Sequence, residues 1–208
     1  FGLVAMDMDS TLITIECIDE IADMQGLKPQ VAEITEAAMR GEIEFRESLT
    51  RRVSLLKGLD AGALQRVYDE RLKLSPGAEK MLAAVQAAGL KTLLVSGGFT
   101  FFTDRMKTRL GLDYTHSNEL EIVDGKLTGK VVGGIVDADE KKNTVERVCR
   151  ELGMSPKQAI VMGDGANDLK MMGISGMSVA FRAKPVVRAQ ADIALNFVGL
   201  DGILPLFD

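Results

Sequence analysis

Only two cysteines, Cys17 and Cys149, occur in 208 residues, too few for a disulfide framework. The setting this implies is a reducing cytosol, with both thiols read as small buried hydrophobes. Basic excess is missing too. The formal net charge is −5 and no Lys/Arg cluster stands out, so the cationic footprint of a nucleic-acid binder is lacking. No apolar run approaches the ~18 residues of a membrane span, and no secretory signal is visible. Neither repeats nor low-complexity segments occur, although glycine totals 21. The single histidine, His116, reads as a surface or packing residue.

What is there suits a globular protein. Hydrophobic residues at 46% and charged residues at 26% supply a core and argue against wholesale disorder. The length allows one main domain plus a sizeable insertion. Because the chain opens at Phe1, without Met and directly before a strand, an upstream segment is expected.

The run Leu3-Val4-Ala5-Met6 is short, apolar and ends in Asp7, the pattern of a strand buried on both faces. From Ile13 to Leu74 apolar residues fall instead at helical spacing, punctuated by Gly26, Gly41 and Gly58. Alternation follows. A helix starts at Ser75-Pro76 and stops at Gly89, a strand Thr92–Val95 runs into Ser96-Gly97-Gly98, and a helix covers Thr103–Leu110. Asp124-Gly125 between Leu120–Val123 and Lys126–Thr128 signals a β-hairpin. Next come a helix near Asn143–Leu152, a strand Ala159–Met162, a helix after Asn167, a strand Ser178–Phe181, a helix near Val186–Ala191 and a short strand Ile193–Leu195. Asp137, Asp139 and Glu140 read as a solvated turn, and Lys141 and Lys142 as the opening of an exposed helix.

The expectation is an α/β fold: a Rossmann-like, mostly parallel sheet with helices on both faces. Residues 1–12 and 75–208 make its core domain, and 13–74 a helical cap inserted after the first strand.

In open α/β sheets, ligands sit at the carboxyl ends of the strands. Three polar clusters fall there: Asp7-Met8-Asp9-Ser10-Thr11, Ser96-Gly97-Gly98 and Gly163-Asp164-Gly165-Ala166-Asn167-Asp168. Singly, each reads as a turn or cap. Together they crowd carboxylates that repel one another unless a cation neutralises them, and hard oxygen ligands suit Mg²⁺. One carboxylate can then attack phosphorus, while a second, two residues on, protonates the leaving oxygen and later activates water. A serine, a backbone amide and a lysine would hold the phosphoryl oxygens.

In order along the chain, the segments Asp7–Leu12, Val95–Phe99, Lys141 and Gly163–Asp168 resemble the four signature motifs of the haloacid dehalogenase-like phosphatases. The likeness runs from Leu3 to about Asp192 and narrows to the branch acting on phosphoserine, the last step of serine biosynthesis. Glu16–Ala22, Phe45–Leu56, the hairpin at Asp124–Gly129 and Ala180–Pro185 all look like that branch. The resemblance implies Asp7 as nucleophile, forming an aspartyl-phosphate, and Asp9 as general acid/base. It implies Asp7, the Asp9 carbonyl and Asp164 as Mg²⁺ ligands, with Ser96, Gly97, Lys141 and Asn167 on the phosphoryl group. Asp168 would orient Lys141 or a metal-bound water. Glu16 would meet the substrate ammonium and Arg52 its carboxylate, with Met39 and Phe45 closing over the ligand; adjacent Arg51 points to another helix face. The expected partner is a small-molecule substrate in the cytoplasm, with no nucleic acid and no membrane, and homodimerisation stays open. Rival readings are a phosphotransferase passing phosphate to another hydroxyl, a sugar-phosphate phosphatase, and a signalling receiver phosphorylated on aspartate.

Overall fold

The structure, a computed structural model, describes residues 1–207. Strand β1 (Leu3–Met6) has no solvent exposure at any of its four residues and alternates between two cores. Val4 and Met6 face one and Leu3 and Ala5 the other, which is what a strand central to a two-sided sheet requires.

After β1 come four helices, α1 (Cys17–Asp23), α2 (Lys28–Met39), α3 (Phe45–Ser54) and α4 (Gly62–Glu70). Gly26, Gly41 and Gly58, between them, have φ of 69°, 79° and 86°, the left-handed conformation that ends a helix without a Cβ penalty. The chain leaves and re-enters the sheet side by side, through an antiparallel bridge between Ile13 and Leu74. Then follow α5 (Ala78–Ala87), β2 (Lys91–Phe99), α6 (Thr100–Leu110), β3 (Tyr114–Val123), β4 (Lys126–Val132), α7 (Ala138–Glu151), β5 (Ala159–Gly163), α8 (Leu169–Ile174), β6 (Met177–Phe181), α9 (Pro185–Arg188) and β7 (Ile193–Leu195). Seven strands form one sheet in the order β4-β3-β2-β1-β5-β6-β7, parallel except where β4 runs back along β3. In the β3–β4 turn, Asp124 and Gly125 have φ of 52° and 75°, the pair of positive values a tight hairpin turn demands.

Four elements depart from the sequence-based expectation. β2 continues through Ser96-Gly97-Gly98 to Phe99, with a register shift against β3, and α6 starts at once at Thr100. β3 begins at Tyr114, because Tyr114-Thr115-His116 pair with Leu93-Leu94-Val95 of β2 although their own pattern is polar. α9 stops at Arg188, shorter than expected. α7 begins at Ala138, and this changes the reading of several residues.

Asp137, Asp139 and Glu140 are not a solvated turn. Asp137 caps α7 by accepting the Glu140 N–H at 2.9 Å and pairs with Arg46 of α3 at 2.7 Å. Asp139 pairs with Lys170, and Glu140 with the half-buried His116. Lys141 is not at an exposed helix opening either. It lies on the stripe Lys141, Thr144, Val145, Val148 and Cys149 that α7 buries against the sheet.

Asp137→Ala should therefore cost about 0.5–2 kcal/mol in urea unfolding, the usual worth of a side-chain N-cap. Asp137→Asn, which can still cap, should recover most of it. Equal losses for both variants would assign the effect to the Arg46 pair instead.

Candidate active site

Asp7 follows β1 directly and stays in extended geometry, its N–H bonded to the Met162 carbonyl of β5. Its Oδ1 accepts the Met8 N–H at 2.8 Å and the Lys141 Nζ at 2.9 Å. Lys141 reaches on to Asp168 Oδ1 at 2.7 Å, so one fully buried ammonium holds two carboxylates. The other Asp168 oxygen accepts the backbone N–H groups of Asp164 and Gly165. That close tuck needs a glycine at 163, where a Cβ would come 2.5 Å from the Asp168 side chain. Asp164 Oδ1 is held by the Thr11 hydroxyl at 2.9 Å.

Beyond Asp7 the chain folds into an irregular turn over Met8–Leu12, with Ser10 in the left-handed region at φ 60°. Ser10 N–H donates to the Ile15 carbonyl, and its hydroxyl donates to Glu16 Oε1 at 2.7 Å. The turn thus carries Asp9 into the site and aims Glu16 from the start of α1. Across the sheet, Ser96 Oγ accepts the Gly98 N–H, and Asn118 bonds both the Gly97 carbonyl and the Val136 N–H.

The inserted helices close the space above. Asp7, Asp9, Glu16, Met39, Phe45, Arg52, Ser96, Gly97 and Asn167 line one cavity; Lys141, Asp164 and Asp168 are buried beside Asp7, off its wall. Phe45 and Met39 sit so close to the sheet that a Cβ on Gly97 would meet Phe45 at 2.5 Å, and one on Gly165 would meet Met39 at 2.6 Å. Asp7 and Asp9 keep only 5% and 9% exposure. On α3 the neighbouring arginines part: Arg52 is buried in the cavity wall, while Arg51 lies outside near Glu47.

Loss of water dominates the electrostatics. It pushes Asp7 up to about 7, with Asp168 adding repulsion and Lys141 opposing. It pushes Asp9 up to about 6, against hydrogen bonding from Cys17. Asp164 is raised well above the carboxylate range by burial and by Asp7 and Asp168, and Glu16 by burial and Asp9. Burial alone would lower Lys141, but Asp168 and Asp7 outweigh it and raise it.

Asp7, Asp164 and Asp168 each offer an oxygen within 4.8 Å of the others. Lys141 and two amides already engage Asp168, whereas among the described residues Asp7 and Asp164 are each hydrogen-bonded only through Oδ1. Lys141 divides its charge between Asp7 and Asp168 and does not bond Asp164, so two buried carboxylates in mutual repulsion fit a hard divalent cation.

Thr11, Ser10 and Asn118 hold functional groups in place without having been singled out in the sequence. The first two lie inside the Asp7–Leu12 run, which was the available signal; Asn118 had none, since both its partners are remote in the chain.

Residues 1–176 match a family model described as haloacid dehalogenase-like hydrolase. The chain is similar to the phosphoserine phosphatase of Polaromonas sp. strain JS666, with 59% identity covering 99% of this chain and 89% of that one. A solved phospho-aspartyl intermediate analogue of phosphoserine phosphatase has 37% identity and a TM-score of 0.96, covering 100% of this chain and 99% of the other. A substrate-bound phosphoserine phosphatase complex matches with 37% identity and a TM-score of 0.96, over 100% and 98%.

Lys141→Met should destabilise the protein by about 3–5 kcal/mol in chemical denaturation, because it leaves buried carboxylates without their cation. Adding Asp168→Asn should restore part of the loss by removing one orphaned charge. A single-variant loss below about 1 kcal/mol would mean that water reaches the pair.

Proposed function

This chain belongs to the haloacid dehalogenase-like hydrolases, and we propose that it hydrolyses phosphoserine to serine and inorganic phosphate. One observation carries the reading: Asp7 and Asp9 share one cavity with Glu16 and Arg52. The first pair offers phosphoryl chemistry, and the second offers one charge for an ammonium and one for a carboxylate. The 59% identity to a protein named phosphoserine phosphatase, over nearly all of this chain, supports the same substrate.

Residues 13–74 act as a cap over a core of 1–12 and 75–208, and its helices shield the reaction from water. A carboxylate oxygen of Asp7 attacks phosphorus as the bond to the serine oxygen breaks. Asp9 gives its proton to that oxygen, releasing serine and leaving phosphate on Asp7. Asp9 then takes a proton from a water molecule, which attacks phosphorus and frees Asp7 and inorganic phosphate. Its pKa, pushed up to about 6, suits a group that must both give and take a proton near neutrality. Ser96, the Gly97 amide and Asn167 hold the phosphoryl oxygens from the cavity wall; Lys141, fixed by Asp168, stands beside Asp7 and meets the phosphoryl group once that residue carries it. Met39 and Phe45 close over the substrate.

Asp7, Asp164 and the Asp9 carbonyl would hold Mg²⁺. When bound, the ion supplies positive charge that keeps Asp7 ionised and offsets charge on the phosphoryl oxygens. Among the described residues no helix is long and apolar enough to cross a membrane. The free, buried Cys17 and Cys149 suit a reducing compartment, and the cytoplasm is the location this reading proposes.

Asp7→Asn should abolish turnover while keeping the fold, and mass spectrometry of quenched wild-type enzyme should find phosphate on the peptide containing Asp7. Asp9→Asn should slow phosphoserine hydrolysis by roughly 10²–10⁴, and p-nitrophenyl phosphate hydrolysis less, since its leaving group needs no proton. Label on Ser10 or Thr11 would overturn the mechanism.

Phosphate release from a panel of phosphorylated amino acids and sugar phosphates should be fastest with phosphoserine, and chelation of Mg²⁺ should stop it. Arg52→Ala should cost roughly ten- to hundred-fold in kcat/KM on phosphoserine and little on phosphoethanolamine, which lacks the carboxylate. Glu16→Gln should do the reverse, sparing phospholactate, which lacks the ammonium. Equal losses on all three substrates would remove both residues from substrate recognition.

A further inference from the structure

Arg52 is 3% exposed, and its guanidinium is held on two sides. Nε donates to Ser48 Oγ at 3.0 Å, with the Ser48 carbonyl at 3.3 Å, one turn earlier on α3. Nη1 donates to Thr35 Oγ1 at 3.2 Å, across on α2. Nη2 is buried and has no acceptor among the described residues. An arginine in this state presents its remaining N–H groups in one direction only, set by the residues that hold the other donors.

Thr35 is itself oriented. It is 2% exposed, and its hydroxyl lies 2.7 Å from Asp19 Oδ1 on α1 and 3.0 Å from the Val31 carbonyl. A hydroxyl has one proton. Given to the Asp19 carboxylate, the nearer and charged acceptor, it leaves the oxygen able only to accept, so a lone pair faces Arg52 Nη1. Asp19 thereby fixes which way Thr35 bonds, and Thr35 fixes the guanidinium plane, joining α1, α2 and α3 in one relay. Ser48, fully buried, secures the other edge.

We propose that Asp19, Thr35 and Ser48 are positioning residues that aim the Nη2 edge of Arg52 into the cavity and so set the preference for phosphate esters bearing a carboxylate. The proposal rests on the reading of Arg52 as the carboxylate donor. A frame that only stapled helices together would influence stability but not the choice between substrates.

The test is kcat/KM on phosphoserine and on phosphoethanolamine for Thr35→Val, Thr35→Ser, Ser48→Ala, Arg52→Ala and the double variant Thr35→Val/Arg52→Ala. Thr35→Val keeps the shape and deletes the hydroxyl. It should lower phosphoserine kcat/KM about ten-fold, mainly through KM, and change phosphoethanolamine by less than about two-fold. Thr35→Ser should restore the wild-type ratio. Ser48→Ala should shift the ratio the same way, and serves alone if Thr35→Val does not fold. The double variant should be no worse than Arg52→Ala, because a frame with nothing to aim has no effect. Equal losses on both substrates, failure of serine to rescue, or additive losses in the double variant would overturn the frame. If Arg52→Ala separates the two substrates but Thr35→Val and Ser48→Ala do not, the frame fails and the Arg52 assignment stands. If Arg52→Ala fails to separate them, the carboxylate reading falls and the frame falls with it.

Discussion

Lys141 carries a charge that no water touches, and its hydrogen bonds to Asp7 and Asp168 are the constraint around which the site is organised. A buried ammonium is tolerable only when surrounded by opposite charge, and buried carboxylates only when paired or bonded. Each group here therefore fixes its neighbour. α7 must bring Lys141 in on its buried stripe, β1 must end just before Asp7, and the turn after β5 must be tight enough to fold Asp168 back onto two backbone amides. Gly163 is the condition for that last step, since any side chain there would occupy the space that Asp168 takes.

The mutual repulsion that remains among Asp7, Asp9, Asp164 and Glu16 follows from the same crowding. A site stable without cations would spread these groups apart. Keeping them together stores an electrostatic demand that a divalent cation can meet, and on the proposed reading the bound ion would offset the charge of the phosphoryl group as well.

The sheet and the inserted helices divide the labour on the proposed reading. Strand ends supply the groups that act on phosphorus, and they are anchored by the rigid register of β2, β1 and β5. α1, α2 and α3 supply Glu16, Met39, Phe45 and Arg52, whose contacts decide what is attached to that phosphorus. The two halves are packed tightly enough that Phe45 rests on Gly97 and Met39 on Gly165. Selectivity can consequently change through the helices while the strand ends stay as they are.

Much of this was legible along the chain. Short apolar runs gave the strands β1, β5, β6 and β7, period-3.6 spacing gave the helical stretch after β1, and Asp124-Gly125 gave the hairpin, because each depends on local backbone preference or on burial of the run itself. The polar clusters at the strand ends were legible for the same local reason. The first half of β3 was not, since Tyr114–Asn118 become a strand only by pairing with β2. Nor was the start of α7: its acidic first turn looks solvated until Arg46, Lys170 and His116 are brought against it from elsewhere in the chain. Lys141 reads as an exposed charge along the chain, and only the packing of α7 on the sheet buries it against Asp7 and Asp168. The relay from Asp19 through Thr35 to Arg52 joins three helices, and no spacing in the sequence encodes a contact between separate helices. Local order was set by the residues themselves; which charges meet, and which arginine edge is left free, was decided only when the elements packed.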